Sequence, residues 1–318
     1  MSVPEEMSAL RVHAFGELPR LDRVPVPEPG PEDVLVRIAA GVISHHDLTV
    51  AGGNFPLRPE LPYVPGLEGA GRIVRAGVEA DQRTLAIGAL VRVFAGGLGA
   101  TRPGTWAEYV VAPPRAVRGV PETLDVPLAA ACGSVARTAW AAAIDLGALQ
   151  PAERLGVTGA TGAVGSLVAQ LASQHGASGI VAWVRSPERV HMLPGGVEIV
   201  YGDESVEPVD LLVDTVGGPL LAERLRSVRP GGRAVLVGYT AGERVCFSLP
   251  DIMAAGVSLL PLNMMRQRVP AEVESSLVED VAEGRLHVAT EIVERHDVGE
   301  AITRLRTGTV TGRLVLQW

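Results

Sequence analysis

Hydrophobic and polar positions follow two different rhythms along the chain. Between residues 7 and 120, short runs rich in valine and isoleucine are cut by glycine and proline. The runs 34–38, 71–76, 90–94 and 106–111 are predicted strands, and Pro29-Gly30-Pro31, Gly52-Gly53 and Ala95-Gly96-Gly97 punctuate them. This pattern suits a partly open barrel. Near Pro121 the texture changes. Residues 128–148 are dominated by alanine, with few breakers before Gly147, and predict a helix. Predicted strands at 155–158, 180–184, 198–200, 211–214, 234–237 and 257–260 then alternate with helix-like segments, which implies βαβ crossovers and a parallel sheet. Past Met265, residues 273–283 read as a helix and 312–317 as a strand.

Composition narrows the classes of function. At 318 residues the chain is long for one core and comfortable for two domains. With 47% hydrophobic and 20% charged residues it resembles an ordinary globular enzyme. A net charge of -8 argues against nucleic acid, which needs a clustered basic surface. No apolar run reaches a membrane span, and residues 1–10 carry Glu5 and Glu6 rather than a basic-then-apolar leader, so no membrane and a cytoplasmic location are expected. Two cysteines, Cys132 and Cys246, make neither a disulfide framework nor a thiolate-rich metal site. All 28 basic residues are arginine, so Schiff-base chemistry, a P-loop lysine and a Tyr/Lys proton relay are excluded.

The strongest local signal runs from Leu155 to Leu171. A strand enters the turn Gly159-Ala160-Thr161-Gly162-Ala163-Val164-Gly165, which opens an apolar helix. That order lets backbone amides and the positive helix end face a pyrophosphate, with no side chain to hold it off. Ala160 stands where the first glycine of the strict fingerprint would be, so the strand and helix around the turn carry the argument. In an NAD site an acidic residue about 20 positions on accepts the ribose 2′-hydroxyl. Here Arg185 stands there, followed by Ser186 and, further on, Arg189. A guanidinium forks onto a 2′-phosphate, so NADPH is the expected cofactor, with Glu188, beyond Pro187, facing solvent.

These segments, with Val34-Leu35-Val36-Arg37, the loop from Leu61 to Gly71, Gly104-Thr105-Trp106-Ala107-Glu108-Tyr109-Val110-Val111 and Val213-Asp214-Thr215-Val216-Gly217-Gly218, resemble the medium-chain dehydrogenase/reductase superfamily. The resemblance covers nearly the whole chain and is strongest to the zinc-independent quinone oxidoreductase branch. It implies an α/β protein: a GroES-like β-barrel catalytic domain at residues 1–122 and 266–318, and a Rossmann domain, a doubly wound parallel sheet binding NADPH, at 123–265. It also implies a homodimer, paired through an edge strand near Val257. By the same resemblance Thr138, Gly238 and Asn263 line the nicotinamide, Arg185, Ser186, Arg189 and Tyr201 surround the adenosine 2′-phosphate, and Val216 and Tyr239 are further cofactor-binding candidates.

The zinc-dependent relatives place soft ligands where this chain has Ser44, Leu67 and Ser134. Catalytic zinc needs three such ligands and an open position, so no metal is expected. Hydride transfer to a quinone or enone is the cofactor's chemistry, with the protein orienting the reactants and excluding water. Candidates to contact this small-molecule substrate are Ser44, His45, His46, Phe55, Tyr63, Leu67 and Ser134. If the chain is extended at His45 and His46, the two rings point to opposite faces and only one meets the acceptor. Tyr63 and Cys132 also read as packing residues, and the five other histidines as surface residues. The reading is an NADPH-dependent quinone or enone reductase. An enoyl-thioester or biosynthetic enoyl reductase, and a nucleotide-binding relative without turnover, remain open.

Overall fold

The computed structural model describes residues 3–81, 85–310 and 312–318. The chain divides into two compact units. The first holds the chain up to Ser134 together with Val278–Glu283 and Val288–Trp318; the second holds Val135–Leu277 and Gly284–His287.

In the first unit β1 (Glu6–Arg11) pairs antiparallel with β2 (Arg20–Pro25). Next come β3 (Val34–Ile43), α1 (His45–Ala51), β4 (Glu68–Ala76), β5 (Leu90–Phe94), β6 (Tyr109–Ala112) and β7 (Val117–Gly119). Helix α2 (Val126–Trp140) leads on to the second unit, which contains β8 (Arg154–Thr158), α3 (Ala163–Gln174), β9 (Gly179–Val184), β10 (Glu198–Tyr201) and β11 (Val209–Asp214). It continues with α4 (Gly218–Arg224), β12 (Val228–Leu236), α5 (Leu249–Ala255) and β13 (Ser258–Pro261), and α6 (Ala271–Ala282) begins in it and ends in the first unit. The chain finishes in the first unit with β14 (Thr290–Val293), α7 (Val298–Thr307) and β15 (Arg313–Gln317).

The main sheet of the first unit runs β14-β15-β3-β4-β5-β7, with β6 also paired to β3. Strand β3 is the hub because its alternate faces meet two cores. Leu35 and Ile43 pack with Trp106, Ile302, Leu314 and Leu316, while Val34, Val36 and Ile38 pack with Ile73, Val91 and Val110. Burying each such side chain contributes about 1.5–3 kcal/mol.

The second unit is a six-stranded parallel sheet in the order β10-β9-β8-β11-β12-β13. Central strand β11 is buried at every position, as expected where both faces are covered. The order reverses beside β8, and ligands of such sheets bind outside the carboxyl ends of the strands at that switch.

Several predicted elements shift. The alanine-rich helix stops at Trp140 rather than 148; a π turn spans Ala141–Asp145 and Ala148 has φ 46°. Such a π segment is a single-turn interruption of the α-helical ladder. The strand expected at 106–111 begins at Tyr109, because Trp106 is turned inward and its indole donates to the Val42 carbonyl at 2.8 Å. Strands β1, β2, β7 and β14 and helices α1 and α7 had no predicted counterpart.

Candidate active site

Sheet register brings the candidates of the first unit together. Leu314 of β15 lies opposite Ile43 of β3, and Gly69 of β4 lies opposite Gly41 on the other side of β3. Both neighbours are antiparallel to β3, so its end is flanked by their beginnings, and Ser44, Glu68 and Arg313 come together. Ser44 caps α1. Its backbone N–H and hydroxyl both donate to Asp47 Oδ2, at 2.9 and 2.6 Å. The other Asp47 oxygen accepts the backbone N–H groups of Gly66 and Leu67, at 3.2 and 3.0 Å. Asp47 is 2% exposed and ties the start of α1 to the loop before β4. Gly66 has φ 106°, and a Cβ there would sit 2.5 Å from Thr105 Oγ1, so only glycine lets this loop approach.

Glu68 is fully enclosed. Its Oε1 accepts the Ser134 hydroxyl at 2.7 Å and pairs with the Arg313 guanidinium, which also donates to Ser134 Oγ at 3.3 Å. Arg313 is 11% exposed at its side chain, and its Nε is buried with no hydrogen-bond acceptor among the described residues. Burial lowers its pKa to about 10 against the attraction of Asp47, so it stays charged at neutral pH.

His45 and His46 sit in the first turn of α1, not in an extended segment, so the opposite-face argument does not apply to them. His45 reaches solvent, yet desolvation and then the charge of Arg313 lower its pKa from 6.5. His46 stacks edge-on against Phe55 at 4.8 Å. Tyr63 packs with Val12, Val50 and Ala100, and its buried hydroxyl has no partner among the described residues; desolvation and then Asp47 raise its pKa. Leu67 is half-buried. Cys132 is wholly buried, and desolvation pushes its thiol up to about 11. His13, His175, His191, His287 and His296 are exposed.

In the second unit β8 runs into a turn at Gly159, φ 60°, and Gly162 caps α3. No side chain caps α3 and its first turn carries no acid, so Ala163, Val164 and Gly165 present amides at its positive end. A Cβ on Gly165 would lie 2.3 Å from the Gly159 carbonyl oxygen, which fixes how tightly the turn packs on the helix. Ala160 is buried, while Thr161 is half-buried at the turn's tip. The turn is braced from the next strand: Thr158 Oγ1 donates to Asp214 at 2.6 Å, and Asp214 accepts Gly217 N–H at 2.8 Å. Burial raises the Asp214 pKa against these bonds. This geometry fits the pyrophosphate of a dinucleotide.

Arg185 follows β9 directly and is exposed; Tyr201 ends the neighbouring β10, with its partner Val184 just before Arg185. Ser186 donates to Glu188 Oε2 at 3.2 Å, so Glu188, although exposed, reaches back into this group, and Arg189 lies in the turn Pro187–Met192. Val216 follows β11, and Gly238 and Tyr239 follow β12; a Cβ on Gly238 would lie 2.2 Å from the Thr215 oxygen. Thr138 is half-buried on α2. Asn263 is exposed after β13 and accepts Met265 N–H at 3.0 Å. The turn after β8 and the adenosine candidates after β9 and at the end of β10 thus lie at the carboxyl ends of neighbouring parallel strands. Arg313 had no sequence signal, since nothing near it in the chain hints at Glu68.

Two family models match this chain: the alcohol dehydrogenase GroES-like domain over residues 30–122 and zinc-binding dehydrogenase over residues 163–282. The chain belongs to the medium-chain dehydrogenase/reductase superfamily. Among relatives in this superfamily, a phenolphthiocerol/phthiocerol polyketide synthase subunit of Mycobacterium tuberculosis is 28% identical over 98% of this chain, which spans only 14% of that protein. The quinone oxidoreductase of Lama guanicoe is 29% identical over 73% of each chain. The solved quinone oxidoreductase of Coxiella burnetii shares the fold, with a TM-score of 0.83 at 22% identity over 98% of this chain and 99% of that one.

The second family's description implies zinc. The residues at this superfamily's zinc positions do not fit one: Ser44 and Ser134 commit their hydroxyls to Asp47 and Glu68, and Leu67 has no donor atom. A guanidinium already neutralises Glu68. Among the described residues, no group of three or more His, Cys, Asp or Glu side chains is placed to hold a metal ion.

Proposed function

We propose that the protein is an NADPH-dependent reductase that works without zinc and delivers hydride to a quinone or another α,β-unsaturated carbonyl. One observation carries the reading. The positions that would ligate zinc are taken by two hydroxyls and a leucine, while no side chain caps the helix at the dinucleotide turn. Alcohol oxidation without a metal would need another acid or base to move the hydroxyl proton. The fixed Ser44, Ser134 and Glu68 network offers none that is free of a partner, whereas reduction of a conjugated carbonyl needs mainly orientation.

A reduced nicotinamide, when bound, supplies the hydride. The α3 amides from Ala163 to Gly165 hold the pyrophosphate, and Arg185, Ser186, Arg189 and Tyr201 surround the 2′-phosphate. Thr138, Val216, Gly238, Tyr239 and Asn263 border the nicotinamide. Ser44, His45, His46, Phe55, Tyr63, Leu67 and Ser134 shape the acceptor side. Solvent supplies the proton that completes reduction.

The likeness to part of a polyketide synthase over 98% of the chain supports a second reading, in which the acceptor is an enoyl thioester. A panel of quinones, enones and enoyl thioesters, followed by loss of reduced-nicotinamide absorbance with and without a zinc chelator, tests both. Turnover insensitive to the chelator is expected. Turnover only on alcohols, or none on any acceptor, overturns the proposal.

A further inference from the structure

Strand β8 ends on Thr158 and strand β11 on Asp214, and the two residues lie opposite each other in the parallel register. Asp214 is 0% exposed, and a carboxylate taken out of water is costly unless its oxygens are bonded. Here Oδ1 accepts the Thr158 hydroxyl at 2.6 Å and Oδ2 accepts the Gly217 N–H at 2.8 Å, with a further backbone bond from Val216. An apolar side chain of similar volume would fill this buried strand end without that cost, so packing alone does not account for the acid. Thr158 spends its other polar groups on Thr215. Its hydroxyl oxygen accepts the Thr215 N–H at 3.0 Å, and its carbonyl accepts the Thr215 hydroxyl at 2.7 Å. Thr215 in turn lies against the dinucleotide turn: a Cβ on Gly159 would come 2.5 Å from Thr215 Oγ1 and 2.8 Å from Val216 Cγ1. On its other side is the end of β12, where the Asp214 carbonyl accepts the N–H groups of Val237 and Gly238 at 2.8 and 3.3 Å. These bonds join the ends of β8, β11 and β12 around Thr215.

We propose that Thr158 and Thr215 are positioning residues of the dinucleotide site. Anchored on Asp214, they set the span between the α3 amides that hold the pyrophosphate and the Val216 and Gly238 backbone that borders the nicotinamide. The inference rests on the dinucleotide reading above and goes beyond it, because neither threonine is assigned a contact with the cofactor. A dinucleotide must meet both regions at once. A turn that slips relative to Val216 and Gly238 therefore costs affinity for the whole molecule, while the adenosine half keeps its own partners. Threonine suits the task because its branched Cβ restricts χ1 and its hydroxyl both donates and accepts, so one side chain holds two neighbours in fixed directions. Valine would fill the same space and hold neither.

The test titrates the full chain calorimetrically with two probes: NADPH, which reaches both regions, and 2′,5′-ADP, which carries the adenosine half alone. The wild type should bind both. Thr158→Val should weaken NADPH about tenfold, as buried hydrogen bonds are lost and the span between the two regions loosens, and should leave 2′,5′-ADP as it was. Thr158→Ser keeps the hydroxyl and should restore the wild-type ratio of the two affinities. Equal weakening of both probes marks a merely structural role and overturns the proposal; so does an unchanged ratio in Thr158→Val, or a Thr158→Ser as defective as Thr158→Val. Should Thr158→Val fail to fold by circular dichroism, Thr215→Val against Thr215→Ser decides by the same ratio, and equal ratios overturn the proposal. Failure of the reading beneath it looks different. A wild type that binds neither probe removes the dinucleotide site itself and the proposal with it, whereas a shifted ratio without turnover on any acceptor upholds the positioning role and ends only the reductase reading.

Discussion

Glu68, the first residue of β4, and Arg313, the first residue of β15, form an enclosed ion pair although 245 positions separate them. Strand β3 lies between their strands, so the pair bridges the end of β3 and joins a carboxyl-terminal strand to the middle of the sheet.

Removing one partner should be costly. Glu68→Ala leaves a buried guanidinium uncompensated, and the expected loss is about 3–5 kcal/mol of unfolding free energy in urea. Glu122→Ala removes an exposed partner from Arg72 at 2.7 Å and should barely move the urea midpoint, because solvent screens that pair. Similar losses in the two variants would show that Glu68 is far better solvated than its enclosure indicates.

The two cysteines should separate by reactivity. Cys132 is buried with its thiol pushed up to about 11, whereas Cys246 is exposed. Native protein at neutral pH should therefore take up one thiol reagent per chain, at Cys246, and a second only in denaturant. The unfolded thiol ionises near its ordinary value of 9.0 while the folded one holds its proton to about 11. Stability should accordingly fall as pH rises between these values, and Cys132→Ala should flatten that fall in an alkaline urea series.

Cofactor preference should follow the loop after β9. Arg185→Asp is expected to lower the NADPH/NADH ratio of kcat/KM about tenfold or more, as a charge-assisted contact to phosphate is replaced by repulsion. Glu188→Gln should move the ratio a few-fold the other way, because its carboxylate holds the Ser186 hydroxyl that would otherwise serve the phosphate. An unmoved ratio in both variants would remove this loop from cofactor choice.

Gly165→Val should block the dinucleotide without abolishing the fold of the first unit. A Cβ at Gly165 meets the Gly159 carbonyl oxygen at 2.3 Å, and the backbone of the turn must shift to relieve it. Loss of NADPH binding by fluorescence titration, with Cys246 still the sole reactive thiol, is the expected result.

The dinucleotide turn was legible in the chain because its parts are contiguous. Strand, glycine turn and helix follow one another from Arg154 to Gln174, and each is set by local backbone preferences. The alternating strands of the second unit were legible for the same reason, since a buried parallel strand such as β11 is a simple apolar run. Helix α1 was not: its seven residues follow a strand without a break in composition, and its start depends on Asp47 reaching both Ser44 and the loop at Gly66.

By itself the sequence settled the two-part α/β organisation, the turn at 159–165 and the absence of soft ligands at Ser44, Leu67 and Ser134, because these depend on residue type and on neighbours in the chain. Tertiary structure alone decided what stands in their place. The registers of β15 and β4 against β3 bring Arg313 and Glu68 together, α2 adds the Ser134 hydroxyl, and enclosure then makes the two charges matter. Contacts between strands so far apart in the chain leave no periodicity to read.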